Sequence, residues 1–336
     1  MKIAVFGQTR WASKLAETVT SLSDGDCRAV FIEAKAGLKL RTLAAVRNAD
    51  VLMRVGFRPG ARTARGIAFD VLWSVYRRLS RRARAAHFWV GTDVLKTLND
   101  VRSDKIVGSV LRRAVGDIHL ATAPWLIEEL NQIGIESQYV LFFDKLPEDV
   151  IAIEPPTVFP QPFTVLTYIP DSRPEFYGAT SIHDCARILP EIRFEVVGGE
   201  GRWAKSPLPN LHFLGWQNMA DCLKRTSVLV RMVEHDGMGG TVRQALAAAR
   251  HVIYCYPVPH VYTVAFGDTV TLIATIRALH GTAINGGLAP NLAGREYALR
   301  EFDIAPHYRK MIEILREQSD RPKTPLQESA GARRVP

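Results

Sequence analysis

The feature that most restricts this fold is a break in a regular rhythm. Residues 154–162 read EPPTVFPQP, with prolines at 155, 156, 160 and 162. Each proline fixes φ and withholds a backbone donor, so this density suits an extended connector. On both sides of it, short apolar runs alternate with helical spacing. Before the connector, residues 3–6, 28–32, 51–55, 87–90, 119–122 and 139–142 read as strands, and 11–22 and 124–133 as helices. After it, residues 164–168, 193–197, 211–214, 228–232 and 252–256 read as strands. Residues 179–189, 219–225 and 241–249 read as helices. Such alternation predicts α/β architecture, each half a parallel sheet wound with helices on both faces. A chain of 336 residues also exceeds what one core comfortably fills. The expected layout is a domain over 1–154, a linker over 155–163 and a second domain over 164–304. An amphipathic helix over 305–318 and a polar tail over 319–336, disordered by composition, complete it.

Hydrophobic residues at 47% and charged residues at 23% exclude a mainly disordered chain. The net charge of +9 favours acidic partners, namely nucleotide phosphates, pyrophosphate lipids, anionic membranes or nucleic acid, without choosing among them. The four cysteines, Cys27, Cys185, Cys222 and Cys255, form no CxxC pair and match no zinc spacing. They read as buried thiols in a reducing compartment. Met1-Lys2 leads directly into a strand, and no apolar run reaches the roughly 18 residues a span needs. The expectation is a cytoplasmic protein, soluble or lying on a membrane surface.

The chemistry concentrates in residues 228–249, VLVRMVEHDGMGGTVRQALAAA. Gly237, Gly239 and Gly240 fall between a strand and a helix, where missing side chains allow close approach of a ligand to backbone amides. A helix opening near Thr241 would aim free amides and its positive end at an anion, which makes the segment a candidate pyrophosphate cradle. A simple glycine-rich turn has the same sequence.

This segment resembles the donor signature of the GT-B family 4-like (group 1) glycosyltransferases of bacterial polysaccharide and lipid synthesis. That signature is a glutamate, Gly-Phe-Gly, a spacer, a second glutamate and Ala-Met-Ala. Asp236 aligns with the first acid, Gly237-Met238-Gly239 with the glycine triplet, Gln244 with the second acid and Ala245-Leu246-Ala247 with the last triplet. FEVVGGEG (194–201), LPNLHFLGW (208–216), HFWVGTDVL (87–95) and ATAPWLIEELNQIGI (121–135) resemble further elements of the family. The resemblance implies two Rossmann-like domains facing each other across a cleft. It also implies a nucleoside diphosphate sugar as donor, a glycan or polyprenyl-linked acceptor, and no metal. Asp236 is implied near the transferred sugar, with Glu234 and His235 as neighbours able to take that role. Gln244 is implied at the ribose, Gly199 and Glu200 beside the base or ribose, and Arg173 on the diphosphate. Three positions depart from the pattern: Gln244 is not an acid, Tyr177 stands where a lysine is expected, and Thr92 replaces a histidine.

Asp93, at a strand end, is the candidate general base on the acceptor; the same aspartate would also serve as a helix cap. Asp24-Gly25-Asp26 spells a metal-binding triad of another glycosyltransferase fold, but it precedes a strand, whereas open parallel sheets bind ligands beyond the carboxyl ends. Residues 66–86, GIAFDVLWSVYRRLSRRARAA, join apolar residues and Trp73 to Arg77, Arg78, Arg81 and Arg82. This is the composition of a membrane-surface helix, or of a core helix with a solvated basic face. No nucleic-acid motif accompanies the arginines. Alternatives that remain are a nucleotide-sugar epimerase and a non-catalytic nucleotide-sugar-binding scaffold. A nicotinamide dehydrogenase lacks its fingerprint, because Gly7 stands alone in VFGQTR.

Overall fold

The structure, a computed structural model, describes all residues except 8, 24, 34–38, 57–63, 81, 104–113, 115, 143, 160, 205 and 321–336. Its first six strands are β1 (Lys2–Gly7), β2 (Arg28–Glu33), β3 (Val51–Val55), β4 (Arg84–Trp89), β5 (Ile118–Ala121) and β6 (Gln138–Tyr139). The next six are β7 (Thr164–Tyr168), β8 (Arg193–Val197), β9 (Leu211–Gly215), β10 (Val228–Arg231), β11 (His251–Tyr254) and β12 (Tyr262–Thr263). They form two six-stranded sheets, ordered β2-β1-β3-β4-β5-β6 and β12-β11-β10-β7-β8-β9. The expected α/β class holds. The chain divides into two compact units: Met1–Phe88 with Asp104–Leu120 and Tyr308–Pro336, and Trp89–Ser103 with Ala121–His307.

In the first unit β1 pairs in parallel with β2 and β3, and β3 with β4. Every residue of β3 is buried, as expected for a strand covered on both faces. That burial includes Arg54, whose Nη1 donates to Asp70 at 2.7 Å. Phe6, Leu52, Trp73 and Tyr76 form part of the core. Two expectations about the basic helix Ala64–Leu79 are corrected here. Trp73 is not an interfacial side chain: it is 6% exposed, stacked on Phe6 at 6.2 Å and edge-on to His87 at 5.5 Å. Arg77 turns inward and clamps Asp117 with two hydrogen bonds of 2.8 Å, while Asp117 also meets His87 at 2.8 Å. The exposed side of this segment carries Ile67, Val71, Arg78, Leu79 and Arg82 instead. Arg81 and Asp24 lie outside the described residues. From Ile304 a helix runs to Asp320, with Tyr308, Met311 and Leu315 buried.

In the second unit all pairings within the β7–β12 sheet are parallel. Val165, Phe194, Val230 and Ile253 from the strands meet Ile182 and Leu272 from the helices Ala179–Ile188 and Thr269–Ile284. Glu195, 1% exposed in β8, is reconciled with that core by Arg193 and Arg225, each donating to it at 2.9 Å. Asn218 caps its helix through Ala220 N, as its residue type favours. Chain order matters most. From β7 the sheet grows one way through β8 and β9, then β10 returns to the other side of β7. The carboxyl ends of β7 and β10 therefore flank a topological switch point, the position at which open parallel sheets in general bind ligands.

Among the described residues no helix is long and apolar enough to cross a membrane, and no group of three metal-ligating side chains converges. All four cysteines are free; Cys27, Cys185 and Cys222 are buried and Cys255 is half-buried.

Candidate functional site

The site is built from strand ends of the second unit. β10 ends in Arg231, β11 in Tyr254 and β7 in Tyr168. Arg231 and Tyr254 reach the loop that carries Asp236. Arg231 Nε donates to Asp236 Oδ2 at 2.7 Å, and the Tyr254 hydroxyl donates to the same oxygen at 3.1 Å. Asp236 Oδ1 accepts from Gly237 N at 3.0 Å. The side chains of Arg231 and Asp236 are 11% and 15% exposed. Burial works against the Arg231 charge, but the Asp236 carboxylate outweighs it and raises the guanidinium above its ordinary value. Burial likewise pushes the Tyr254 hydroxyl well up, keeping it a donor. Sequence reasoning missed Arg231 and Tyr254. A charged residue closing the otherwise apolar run VLV was the available signal for the first.

The glycines divide by what occupies the space beside them. A methyl at Gly237 would collide with the Val90 carbonyl, and Gly91 lies against Gly237 N. Thr122 Oγ1 donates to Gly237 O at 3.0 Å, and Trp125 Nε1 to Asp236 O at 2.7 Å. A methyl at Gly239 would stand 2.5 Å from Arg231 Nε. So the side-chain space at Gly237 and Gly239 is filled by the protein itself. Only Gly240 is open: a methyl there would lie 3.8 Å from its nearest neighbour, Arg243 Nη2. Met238 between the first two holds φ at +80°.

Gly239 is the cap of the helix Gly240–Ala247, without a capping side chain. The first amides of that helix have no carbonyl a turn behind them. Thr241 Oγ1 is buried with no hydrogen-bond partner, and the half-buried Gln244 amide makes no hydrogen bond among the described residues. Glu234 is exposed, with its N–H bonded to Phe176 O. His235 is buried at 4% exposure and meets Glu129 at 2.8 Å, which removes it from contact with a ligand. Trp125 stacks on Tyr256 at 4.4 Å behind this loop.

Arg173 is exposed, with its guanidinium 4.5 Å above the Phe176 ring and 5.9 Å from that of Tyr177. Gly199 is buried, its α-carbon facing Ile169 O so closely that a methyl would lie 2.6 Å away. Glu200 points outward and pairs with Arg202 at 2.7 Å. The loop that carries them is held by Asp171, which accepts from the amides of Glu200, Gly201 and Arg202 at 2.9–3.1 Å. Those amides hold the Asp171 carboxyl below its ordinary range. Beyond β9, Trp216 is 79% exposed and edge-on to Tyr168 at 6.0 Å. A large aromatic left so open beside a strand end suits a planar ligand.

Asp93 opens the helix Thr92–Arg102. Its carboxylate accepts from Val90 N at 3.0 Å and Gly91 N at 2.8 Å, so it reaches back to close the strand-to-helix turn, while the cap residue is Gly91, without a capping side chain. Burial pushes its carboxyl up to about 6, against the opposing pull of those amides. Asp93 is thus not the helix cap that its residue type suggested but a first-turn residue that locks the turn, with a raised proton affinity.

No family model matches the chain, and no curated protein matches it in sequence. Solved structures match in fold. Sucrose-phosphate synthase from Thermosynechococcus elongatus superposes with TM-score 0.65 at 13% identity, over 94% of this chain and 98% of that one. HepE from Anabaena, in complex with UDP and glucose, gives 0.63 at 12% identity over 94% and 99%. The lipopolysaccharide outer core galactosyltransferase WaaB gives 0.62 at 12% identity over 95% and 100%. TarM from S. aureus gives 0.55 at 11% identity, and the chain spans only 59% of that protein's length. These similar structures are GT-B glycosyltransferases, and with its two parallel six-stranded sheets and flanking helices this chain has the GT-B fold.

Proposed function

We propose that this protein transfers a sugar from a nucleoside diphosphate sugar to a hydroxyl of a glycan or lipid-linked acceptor, in polysaccharide or glycoconjugate synthesis. One observation carries the reading: the amino end of the helix Gly240–Ala247 and the Arg231 guanidinium meet at the switch point between β7 and β10. Fixed amides and a fixed cation there match the charge that develops on a leaving diphosphate. Gln244 would bind the ribose hydroxyls and Trp216 would stack on the base. Arg173 would approach the phosphates from the rim. Asp236 would orient the sugar, and Asp93 would take the acceptor proton as its oxygen attacks the anomeric carbon. The leaving group is the nucleoside diphosphate, so no further cofactor is invoked. That HepE binds UDP and glucose on the same fold supports this donor class.

Calorimetric titration with UDP, GDP and dTDP, followed by turnover of the corresponding sugar donors with and without glycan acceptors, tests the proposal. Binding plus acceptor-dependent turnover is expected. Turnover equal without acceptor would point to an epimerase, and no binding would end the reading. A binding scaffold is the second reading, favoured by the internal bonds that occupy both Asp93 and Asp236. Its signature would be nucleotide-sugar binding with no turnover.

A lipid-linked acceptor implies docking on the inner face of a membrane. Ile67, Val71 and Leu79, 46–57% exposed beside Arg78 and Arg82, support that placement.

A further inference from the structure

We propose that Arg231 grips the donor diphosphate, replacing a cation that Tyr177 does not supply, and that it exchanges the Asp236 carboxylate for phosphate when the donor binds. The inference rests on the donor reading above and deepens it.

The first reason is an inventory of donors. A guanidinium offers five N–H groups in a rigid fork. Arg231 uses Nε on Asp236, while Nη1 and Nη2 make no hydrogen bond among the described residues, although the side chain is only 11% exposed. Neither nitrogen is among the buried unpaired atoms, so both reach solvent and are open to a ligand rich in oxygen atoms.

The second reason is position. The guanidinium carbon lies 5.5 Å from the Tyr177 ring and 5.9 Å from the Tyr168 ring, with Gly239 packed beside it. It therefore stands where the end of β7, the end of β10 and the amino end of the helix Gly240–Ala247 come together. The segment after β7 contributes aromatic surface there. Its own arginine, Arg173, is exposed over Phe176.

The third reason is the partner. Carboxylate and phosphate oxygens satisfy the same face of a guanidinium. Asp236 thus holds the place that a phosphate oxygen would take, and it keeps Arg231 extended toward the site. Once displaced, Asp236 becomes able to accept from sugar hydroxyls. A single exchange would then seat the diphosphate and release the carboxylate needed at the sugar.

The test is calorimetric titration of whichever of UDP, GDP and dTDP binds the wild type best, using Arg231→Gln, Asp236→Asn and the double variant Arg231→Gln/Tyr177→Lys, with circular dichroism on each. Arg231→Gln should weaken binding roughly ten- to hundredfold, the scale of one or two lost charged hydrogen bonds. Tyr177→Lys in that background should recover a substantial part of the loss. Asp236→Asn, which removes the competing anion and keeps Arg231, should tighten nucleoside diphosphate binding several-fold. Undiminished binding by a folded Arg231→Gln protein overturns the inference alone. If that variant does not fold, Asp236→Asn decides: unchanged or weakened binding overturns it. A wild type that binds none of the three nucleotides overturns the donor reading and this inference together.

Discussion

Asp93 shows how one carboxylate can be both a structural part and a titrating one. Its oxygens hold the amides of Val90 and Gly91, yet burial lifts it from 3.8 to about 6. Between those values the folded protein binds a proton that the unfolded chain does not. Stability then falls as pH rises through that window, by at most about 3 kcal/mol because the residue keeps some solvent contact. Asp93→Asn should flatten the dependence of the melting temperature on pH between about 4 and 6, since asparagine still accepts from both amides. If Asp93 is the base, the same variant should lose at least about a hundredfold in turnover while nucleotide binding is unchanged. In the first unit Asp117 joins Arg77 to the buried His87. Asp117→Ala should cost about 1–3 kcal/mol in chemical denaturation, because it strips the partner from a buried ring nitrogen.

At the scale of elements, the loop before the helix Gly240–Ala247 makes opposite predictions for neighbouring glycines. Gly237→Ala drives a methyl into the Val90 carbonyl, which is backbone and cannot step aside. It should cost several kcal/mol or prevent folding, read by thermal melting. Gly240→Ala has open space, so it should raise helix stability by up to about 1 kcal/mol. The same methyl would stand over the helix amides and should weaken nucleotide binding in calorimetry.

Most strands were legible in the sequence, because parallel strands read as apolar runs bounded by turns. The helix Thr269–Ile284, rich in β-branched residues with its apolar side chains spread around it, gives no periodic signal, and neither it nor β12 could be read in advance. The glycine-rich turn between a strand and a helix was visible through local spacing, and Asp236 was legible only through the family resemblance. Arg231 and Tyr254 were not, because their link to Asp236 joins the ends of two strands and a loop, which sequence distance does not record. Trp73 was misplaced because an apolar patch beside arginines has the same composition whether it faces lipid or a sheet.

At the scale of the whole molecule, the basic surplus and the exposed row Ile67, Val71, Arg78, Leu79 and Arg82 bear on location. The protein should float with phosphatidylglycerol-containing liposomes and not with neutral ones, and neutralising Arg78 and Arg82 should abolish that flotation. Arg77→Gln should act through stability instead, as its side chain is committed to Asp117. Protein remaining on anionic liposomes after both arginines are neutralised would show that this face is not the anchor.

The β12-β11-β10-β7-β8-β9 order has an evolutionary consequence. Strands that are side by side at the switch point are remote along the chain, so a positive charge deleted from one can be restored by a substitution in the other with no change in backbone. Lineages can in this way drift apart in their recognisable signatures while presenting the same electrostatic welcome to a phosphorylated ligand.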